Sequence, residues 1–537
     1  MSQPQHIEHI PAEIWTKILV EAEPIDILSV GQTCRYLHNI TSSKDLWRGL
    51  VNIMCTKHDL FRPSYPVEQM TLIQLQRATV GPSLFARRLQ HRGASFGTPL
   101  SEASCLKSVS RFIVSPPRAT FFKQLVPGGR FMVLIYASSM PMAALAGTSS
   151  LTMELVDFGP PGSPLPSEPA QRYVLPNLGR VTHGMSLEAS FTTTSQSGPE
   201  TLMVGLAMVD TNGTCVASIF AITPTRPAPS FDRLASATIT NTFSRETVQE
   251  MLICEENALL ILGNTFIVWN FTEQTCVVIH HNVTSPMIIQ TILTEDEIIC
   301  IATSGVYQWT LSDKKAESQS TSEGILLDSL PPLRFPDAVI LPPWDPVKYY
   351  IPQMASGNHK LPLTFDVFAI PRERRSPDTI AVGTRYTLQK YPSQPTQHTS
   401  GAVHSAQLHA RRLTLALEHS YEVPLRYIMM PFGLRPCLYP GLSTLKGFLT
   451  SSGTADWELN GLPGRSPNGF PISLIYWISP QTQRRVSDYT GGMRFVLLGP
   501  GPLLSWCPAS SRCLFYHGNM SLPIPPETAF EVFDYMS

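Results

Sequence analysis

A repeat in the middle of the chain constrains the fold more than any other feature. The segment EENALLILGNTFIVWNF begins at Glu255, and EDEIICIATSGVYQWTL begins at Glu295, so the two are 40 residues apart. Each contains an apolar run, a tight polar turn and a second apolar run, and Trp269 of the first matches Trp309 of the second. The return strand TCVVIH follows the first copy. This spacing is typical of one unit of four antiparallel strands, and it predicts a chain built from several such units.

The ends of these segments carry a family resemblance. IVWNF and VYQWTL resemble the degenerate end of a WD-type repeat, and LTMELVDFG and FEVFDY are similar, although the full Gly-His…Trp-Asp signature is absent. The resemblance implies a WD-repeat-like β-propeller, and roughly 430 residues at one blade per forty to fifty, with long insertions between strands, predict seven blades. A β-sandwich or split sheet is the alternative. We expect FEVFDY to pair with an early strand near Phe131–Tyr136 and close the ring.

Two turns predict hairpins in this part of the chain. PGGR at Pro127–Arg130 separates FFKQLV from FMVLIY, and Asn212-Gly213 joins TLMVGLAMVD to CVASIFAI. Three stretches rich in proline, serine and glycine lack periodicity and are predicted to be loops: PPGSPLPSEP, TPTRPAPS and LPGRSPNGFP. Loops concentrate on the faces of a propeller, so partner recognition is expected there.

The first fifty residues have a different, helical pattern. Pro11 suits the start of a helix, and Ile14 and Ile18 are spaced to share one helical face. Pro24 then forces a boundary. Further short helices are predicted to end in a run that begins with Leu46 and Trp47. Four short helices bury little area alone, so this module needs a partner helix or a neighbouring domain.

The order of these signals in IPAEIWTKILVEAEPIDILSVGQTCRYLHNITSSKDLWRGL resembles an F-box, the helical module that docks a protein onto the Skp adaptor of cullin-RING ubiquitin ligases. The sequence departs from the family pattern at Ile10, where leucine is usual, at Ala22, where a large apolar residue is usual, and at Leu37, where an aromatic is common. The resemblance implies that adaptor-facing or helix-setting positions are filled by Ile10, Pro11, Ile14, Ile18, Pro24, Leu28, Cys34, Arg35, Leu46 and Trp47.

The sequence therefore predicts a multidomain chain, α-helical first and all-β afterwards. The F-box is expected at residues 1–60, a helical linker at 61–95 and the propeller at 96–537. Within the linker, Val67–Arg77 and Ser83–Gln90 are predicted to be two helices, separated at Gly81-Pro82.

Composition excludes several classes of protein. A formal net charge of −1 and a pI near 6.9 argue against a nucleic-acid-binding protein. None of the ten cysteines forms a CxxC pair, so a zinc knuckle or thioredoxin-like site is not predicted. The sequence has no signal peptide and no apolar run long enough to span a membrane. We therefore expect a protein of the cytoplasm, the nucleus or both.

No catalytic motif, cofactor-binding motif or metal site is predicted. The nucleophile elbow, the phosphate-binding loop and the His-Glu-x-x-His motif are absent. The histidine pairs His280-His281 and His404/His409 have no companion ligands and are interpreted as solvated or satisfied. RERR at Arg372–Arg375 lies between two prolines, which favours a solvated loop over a nuclear localisation or phosphopeptide-binding cluster.

The F-box resemblance implies a non-catalytic substrate-receptor subunit of a Skp–cullin–F-box ubiquitin ligase. Its partners would be the Skp adaptor, the cullin scaffold and an unidentified target protein. The alternative is a propeller scaffold that acts outside a ligase. A propeller hydrolase or lyase would need carboxylates or histidines clustered at the centre of the ring, and the sequence shows no such cluster.

Overall fold

The computed structural model describes most of the two predicted regions. The described residues are 10–57, 60–92, 94–95, 108–114, 120–137, 149–166, 171–181, 185–192, 200–210, 212–224, 229–241, 248–281, 283, 288–302, 304–311, 319–320, 325–327, 333–340, 349–350, 363–369, 380–390, 413–424, 448–454, 471–478, 493–499, 503–507, 510–517 and 529–535. RERR and the pair His404/His409 lie outside them.

The described residues of the N-terminal region form a bundle of five helices. Pro11 caps the first helix, Pro24 occupies the first position of the second, and Glu13 in the opening turn of the first complements the helix dipole. A 3-10 turn at Arg62–Ser64 precedes the last helix. The helices are α1 (Ala12–Val20), α2 (Pro24–Gly31), α3 (Arg35–Thr41), α4 (Lys44–Lys57) and α5 (Leu72–Arg92).

The prediction of two linker helices is wrong, because α5 runs through Gly81-Pro82 without a break. A proline inside a helix costs one hydrogen bond and a steric contact, about 3 kcal/mol. Burial offsets that cost here. Val80 is buried on one side of the proline, and Phe85 on the other is fully buried against the ring of Tyr535, with centroids 6.1 Å apart.

The rest of the described chain forms seven sheets of four or five strands, antiparallel apart from one short parallel pair. Numbered as blades, they contain the following strands. Blade 1 has β3 (Thr120–Leu125), β4 (Phe131–Ala137), β5 (Ser149–Asp157) and β6 (Gln171–Leu175), with β7 (Arg180–Val181) beside β5. Blade 2 has β8 (Ser186–Thr192), β9 (Leu202–Val209), β10 (Thr214–Thr223) and β11 (Ser230–Asn241). Blade 3 has β12 (Val248–Cys254), β13 (Asn257–Leu262), β14 (Thr265–Asn270) and β15 (Thr275–His280).

The later blades draw strands from distant parts of the chain. Blade 4 has β16 (Ile288–Leu293), β17 (Glu297–Ala302), β18 (Gly305–Thr310) and β21 (Ala338–Ile340). Between β18 and β21, β19 (Gln319–Ser320) adds to blade 3 and β20 (Ile325–Leu327) adds to blade 2. Blade 5 has β22 (Tyr349–Tyr350), β23 (Leu363–Ala369), β24 (Ile380–Lys390) and β25 (Leu413–Pro424). Blade 6 has β26 (Phe448–Thr454), β27 (Pro471–Ile478), β28 (Met493–Gly499) and β1 (Ala94–Ser95), and blade 7 has β29 (Leu503–Cys507), β30 (Arg512–His517), β31 (Ala529–Asp534) and β2 (Ser110–Val114).

The ring closes through two early strands. β1 and β2, which follow α5, supply the outermost strands of blades 6 and 7. FEVFDY does pair with an early strand, as expected, but the partner is β2 and not Phe131–Tyr136. Phe131–Ala137 is buried at every position as the second strand of blade 1, with neighbours on both sides, so it has no free edge to offer.

The predicted repeat corresponds to equivalent strands of adjacent blades. β14 and β18, which contain Trp269 and Trp309, are the third strands of blades 3 and 4, and both tryptophans are fully buried. The other two WD-like endings, in β5 and β31, are also third strands. Both predicted hairpins are confirmed as β3–β4 and β9–β10. The propeller prediction is therefore confirmed, with seven sheets described.

One histidine of the pair His280-His281 belongs to this repeat pattern. His281 is fully buried, with its ring centroid 4.0 Å from that of Phe266 and 5.8 Å from that of Trp309. It therefore lies before blade 4 and against that blade's tryptophan, where a WD-type repeat has its Gly-His pair. Burial, reinforced by the neighbouring charge of His280, lowers the pKa of His281 to about 4.

Candidate functional site

The helices share one apolar core, which holds them as a unit. Trp47 is fully buried at its centre, and its indole N–H donates to the carbonyl of Thr41 over 2.6 Å. This bond fixes α4 against the end of α3. The core also contains one residue of the propeller, Cys507 of β29, and its other buried members include Leu19, Ile27, Leu37, Ile40, Leu46, Leu50, Val51, Leu75 and Ala78.

A row of apolar side chains on α1 is left outside that core. Ile14 is 45% exposed and Ile18 is 49% exposed, and they are one helical turn apart. Pro11 at the start of the helix is also exposed. Tyr36 of α3 donates its hydroxyl to the carbonyl of Ile10 over 2.7 Å, which fixes where α1 begins. The described chain thus presents a pre-positioned apolar ridge to solvent.

The ten residues predicted for adaptor binding fall into two groups. Leu46 and Trp47 lie inside the core, so any contribution from them is to set the angle of α4. Leu37, one of the departures from the family pattern, is also a core residue. The remaining eight are exposed or half-buried: Ile10, Pro11, Ile14, Ile18, Pro24, Leu28, Cys34 and Arg35.

The helical region is joined to blade 1 by direct hydrogen bonds at the PGGR turn. The N–H of Phe61 donates to the carbonyl of Pro127 over 3.1 Å, and the hydroxyl of Ser64 donates to the same carbonyl over 3.3 Å. Gly128 has a φ of +104°, and a Cβ there would lie 2.5 Å from the Cβ of Ser64, so both the turn and the close approach require glycine.

Arg130 ties the same turn to both regions. Its guanidinium binds Asp157 in two places, with Nε 3.0 Å from Oδ1 and Nη2 2.7 Å from Oδ2. Its Nη1 donates to the carbonyl of Pro63 over 3.0 Å. A planar guanidinium with several donors can hold a carboxylate and a carbonyl in one fixed geometry. The end of β5 and the 3-10 turn after α4 are therefore held in one orientation.

A second arginine, Arg512, fastens blade 7 to blade 1 beside this junction. It is fully buried, and its Nε donates to Asp534 over 3.1 Å. Its Nη1 donates to the carbonyls of Gly129 over 3.1 Å and Gly159 over 2.8 Å. Its Nη2 donates to two further carbonyls, those of Pro160 and Ser163. Every N–H of this guanidinium therefore has an acceptor.

Sequence reasoning missed both arginines, and it identified PGGR only as a turn. The available signal was that two of the four WD-like endings finish in aspartate, at Asp157 and Asp534. A buried strand end with a carboxylate needs a cation. In blades 1 and 7 an arginine supplies it: Arg130 directly before the second strand of blade 1, and Arg512 at the start of the second strand of blade 7.

The contacts of the helical region identify the face of the propeller that it covers. In blade 1 they involve the turn after the first strand, at 126–130, and the segment after the third strand, at 158–163. In an antiparallel blade these two connections lie at the same face, and the connection after the second strand lies at the opposite one. The tight turn Asp210–Gly213 follows the second strand of blade 2, so it lies at this opposite face. The face bearing it is turned away from the helices.

The described residues hold no group of three or more histidine, cysteine, aspartate or glutamate side chains arranged to bind a metal ion. Among those same residues, no helix is long and apolar enough to cross a membrane.

Known proteins match the two regions separately. A family model described as F-box-like matches residues 7–52. No curated protein matches the chain. Among solved structures, the WD40 domain of SCAP from fission yeast is similar at 9% identity and a TM-score of 0.37, covering 82% of this chain and 97% of that one. Hsv2 of Kluyveromyces lactis is similar at 8% identity and a TM-score of 0.21, covering 58% of this chain and 100% of that one.

The family match coincides with the helices that present the apolar ridge, and the strand order places a seven-sheet ring after them. The chain therefore carries an N-terminal F-box-like domain followed by a WD40-like β-propeller.

Proposed function

We propose that this protein is the substrate-receptor subunit of a Skp–cullin–F-box ubiquitin ligase. The observation that carries the proposal is the ridge of Pro11, Ile14 and Ile18, which lies inside the F-box-like match and is exposed on a helix whose position is fixed. Two isoleucines half exposed on one helical face are typical of a surface that a partner helix covers.

The adaptor would bind this ridge through apolar contacts between helices. Leu28, Pro24 and Cys34 are half-buried, so they can be covered further by a partner. Arg35 is exposed and can contribute an ion pair at the rim. Leu46 and Trp47 would act from within, because they hold α4 in place.

The target protein would bind the propeller face that points away from the helices. Support for this assignment comes from the junction, which already occupies the opposite face of blades 1 and 7. The receptor performs no chemistry itself. It raises the effective concentration of the target near the ubiquitin-conjugating enzyme that the cullin recruits, and the two clamping arginines keep the two binding surfaces at a constant separation. Such a subunit acts in the cytoplasm or nucleus.

The test is co-purification of the full chain with a Skp adaptor. Ile14→Asp and Ile18→Asp place charges on the ridge without disturbing the core, so folding should be retained and adaptor binding lost. Ile73→Asp is the matched control, because Ile73 is an exposed isoleucine of α5 outside the F-box-like match. Retention of the adaptor by the folded Ile14→Asp/Ile18→Asp variant would refute the proposal.

The alternative of a scaffold outside a ligase is separated by a second readout. A receptor should bring down the cullin through the adaptor, and the ridge variants should lose cullin and adaptor together. Adaptor binding without cullin would favour the scaffold.

A further inference from the structure

A segment between β18 and β21 runs along the outside of neighbouring blades. After β18 the chain leaves blade 4, adds β19 to the outer edge of blade 3 and then adds β20 to the outer edge of blade 2. It returns past the end of β15, where Leu333 forms a bridge with His280, before it forms β21. We call residues 319–333 the strap. The strap links blade 4 to both blade 3 and blade 2.

The strap is held by few backbone pairs. β19 has two pairs with β15, β20 has three parallel pairs with β11, and the bridge at Leu333 is a single pair. The N–H of Arg334 adds one hydrogen bond, to the carbonyl of His280 over 2.7 Å. β14, in the middle of blade 3, has six pairs with each of its two neighbours. The strap should therefore open locally far more often than a blade unfolds.

β19 lies at an end of blade 3 where the turns are acidic. Ser320 pairs with Thr275, the first residue of β15, and Glu273 is exposed in the turn just before it. The turns after the first strands of blades 3 and 4 lie at the same end, and they carry four more carboxylates, on Glu255, Glu256, Glu295 and Asp296. Among the described residues of these three turns there is no lysine or arginine. A negative charge added at Ser320 would therefore be repelled from this end of the blade.

The sequence of the strap offers a place for such a charge. Ser320 is followed three residues later by Glu323, within the acidic and hydroxyl-rich run ESQSTSEG. A serine with an acidic residue at this spacing is the pattern that acid-directed protein kinases read. Ser42 has the same spacing to Asp45, but it ends α3, and its N–H donates to the carbonyl of His38 over 2.9 Å. Ser42 thus lies between two packed helices, whereas Ser320 lies in a short edge strand.

We propose that Ser320 is a phosphorylation site for an acid-directed protein kinase, and that the phosphate releases the strap from blades 2 and 3. In this step the serine hydroxyl attacks the γ-phosphorus of ATP, an O–P bond forms, the bond to ADP breaks and the hydroxyl proton is released. The product carries roughly −1.5 to −2 charges at neutral pH, and such a group next to acidic residues disrupts the local structure by repulsion.

Release of the strap would change the side wall of the propeller. It would uncover the outer edge of β15 at 275–276 and that of β11 at 239–241, and it would remove the link between blade 4 and blade 2. The inference concerns this wall alone, so it does not depend on the ligase proposal.

The test treats the full chain with ATP and a purified acid-directed serine/threonine kinase, maps the phosphate by mass spectrometry and follows hydrogen exchange in the same sample. We expect phosphate on Ser320 and none on Ser42. Peptides covering 239–241, 275–276 and 319–327 should exchange at least about tenfold faster after phosphorylation. Residues 131–137 of blade 1 should be unchanged. Added salt should reduce the difference, because it screens the repulsion.

Three substitutions separate the effect of charge from that of size. Ser320→Glu should reproduce part of the faster exchange without the kinase. Ser320→Gln is the matched control, since it has nearly the same volume without the charge, and it should exchange like the wild type. Ser320→Ala should accept no phosphate at this position and should keep wild-type exchange after treatment with the kinase.

Three results would overturn the proposal. One is a folded chain that the kinase leaves without phosphate on Ser320, or modifies on Ser42 instead. Another is wild-type exchange in all three segments after complete phosphorylation of Ser320. The last is equal exchange of Ser320→Gln and Ser320→Glu, because the hold of the strap would then be independent of charge.

Discussion

Replacing Arg512 should destabilise the protein more than any other single change at the junction. The guanidinium and the carboxylate of Asp534 are both essentially excluded from solvent, with exposed side-chain fractions of 0% and 2%. Arg512→Met keeps most of the volume and leaves a buried carboxylate without its cation. Removing one partner of a buried ion pair costs about 3–5 kcal/mol. The carbonyls of Gly129 and Gly159 also lose a donor, at about 1 kcal/mol each.

The comparison with Asp534→Asn makes this prediction specific. In that variant Arg512 keeps its four carbonyl acceptors, so the loss in free energy of unfolding should be smaller than for Arg512→Met. Arg48→Met is the control, because among the described residues Arg48 forms ion pairs with Asp45 and Glu68, and both carboxylates are largely exposed. Its loss should be at most about 1 kcal/mol.

The measurement is urea denaturation followed by tryptophan fluorescence for the wild type and the three variants. Since Arg512 joins blades 1 and 7, the transition of the propeller should move to lower urea. The reasoning is refuted if Arg512→Met costs less than about 1 kcal/mol, or if Asp534→Asn is the more damaging of the two changes. Either result would mean that the carbonyl ligands of the guanidinium contribute little.

Three further changes test other parts of the structure. His281 is buried in its neutral form, and its pKa in the folded protein is about 4, below the ordinary 6.5. The unfolded chain therefore binds a proton more readily between pH 6.5 and 4, and the wild type should lose stability as the pH falls through this range. In parallel denaturation series this loss should exceed that of His281→Phe by up to about 3 kcal/mol. Gly129→Ala should cost more in thermal unfolding than Gly159→Ala, because both have positive φ but only a Cβ at Gly129 would meet Ser510, 2.1 Å away. Trp47→Phe removes the indole donor to Thr41 and should destabilise the helical region by about 1–3 kcal/mol, measured by hydrogen exchange.

The sequence predicted best where the signal was local and periodic. The isoleucines of α1 are one helical turn apart, and that spacing alone placed Ile14 and Ile18 on a common face, which the structure leaves exposed. The four WD-like endings are all third strands, and each of these strands ends in an apolar residue followed by a polar one at the same place in its blade. The strands that pack beside each of these endings within a blade are mostly within a few tens of residues in the sequence, so a local pattern is sufficient to predict them.

Long-range pairing could not be predicted in the same way. The partner of β31 was expected to be an early strand near Phe131–Tyr136, yet that strand is buried at every position as part of blade 1. The outermost strand β2 alternates instead, with Arg111 and Ile113 exposed and Phe112 and Val114 buried. For α4, spacing predicted the helix but not which of its sides meets the core, and the family resemblance did not separate adaptor-facing from helix-setting positions for Leu46 and Trp47, which lie in the core. The carbonyls that accept hydrogen bonds from Arg512 belong to residues some 350 to 380 positions away, and no local sequence pattern predicts such pairs.

The position of the closing strands links the orientation of the F-box-like domain to completion of the ring. β1 and β2 follow α5 in the chain, and they finish blades 6 and 7, whose other strands come last. At the same place Arg88 of α5 donates to the carbonyl of Tyr535, whose ring packs on Phe85. The helical bundle is too small to be robust alone, and its core includes Cys507 of blade 7. The exposed apolar ridge of α1 therefore reaches its fixed position relative to the propeller only when the C-terminal blade has closed on the N-terminal strands. A chain that lacks blade 7 should lose this fixed geometry even where its α1 ridge is intact.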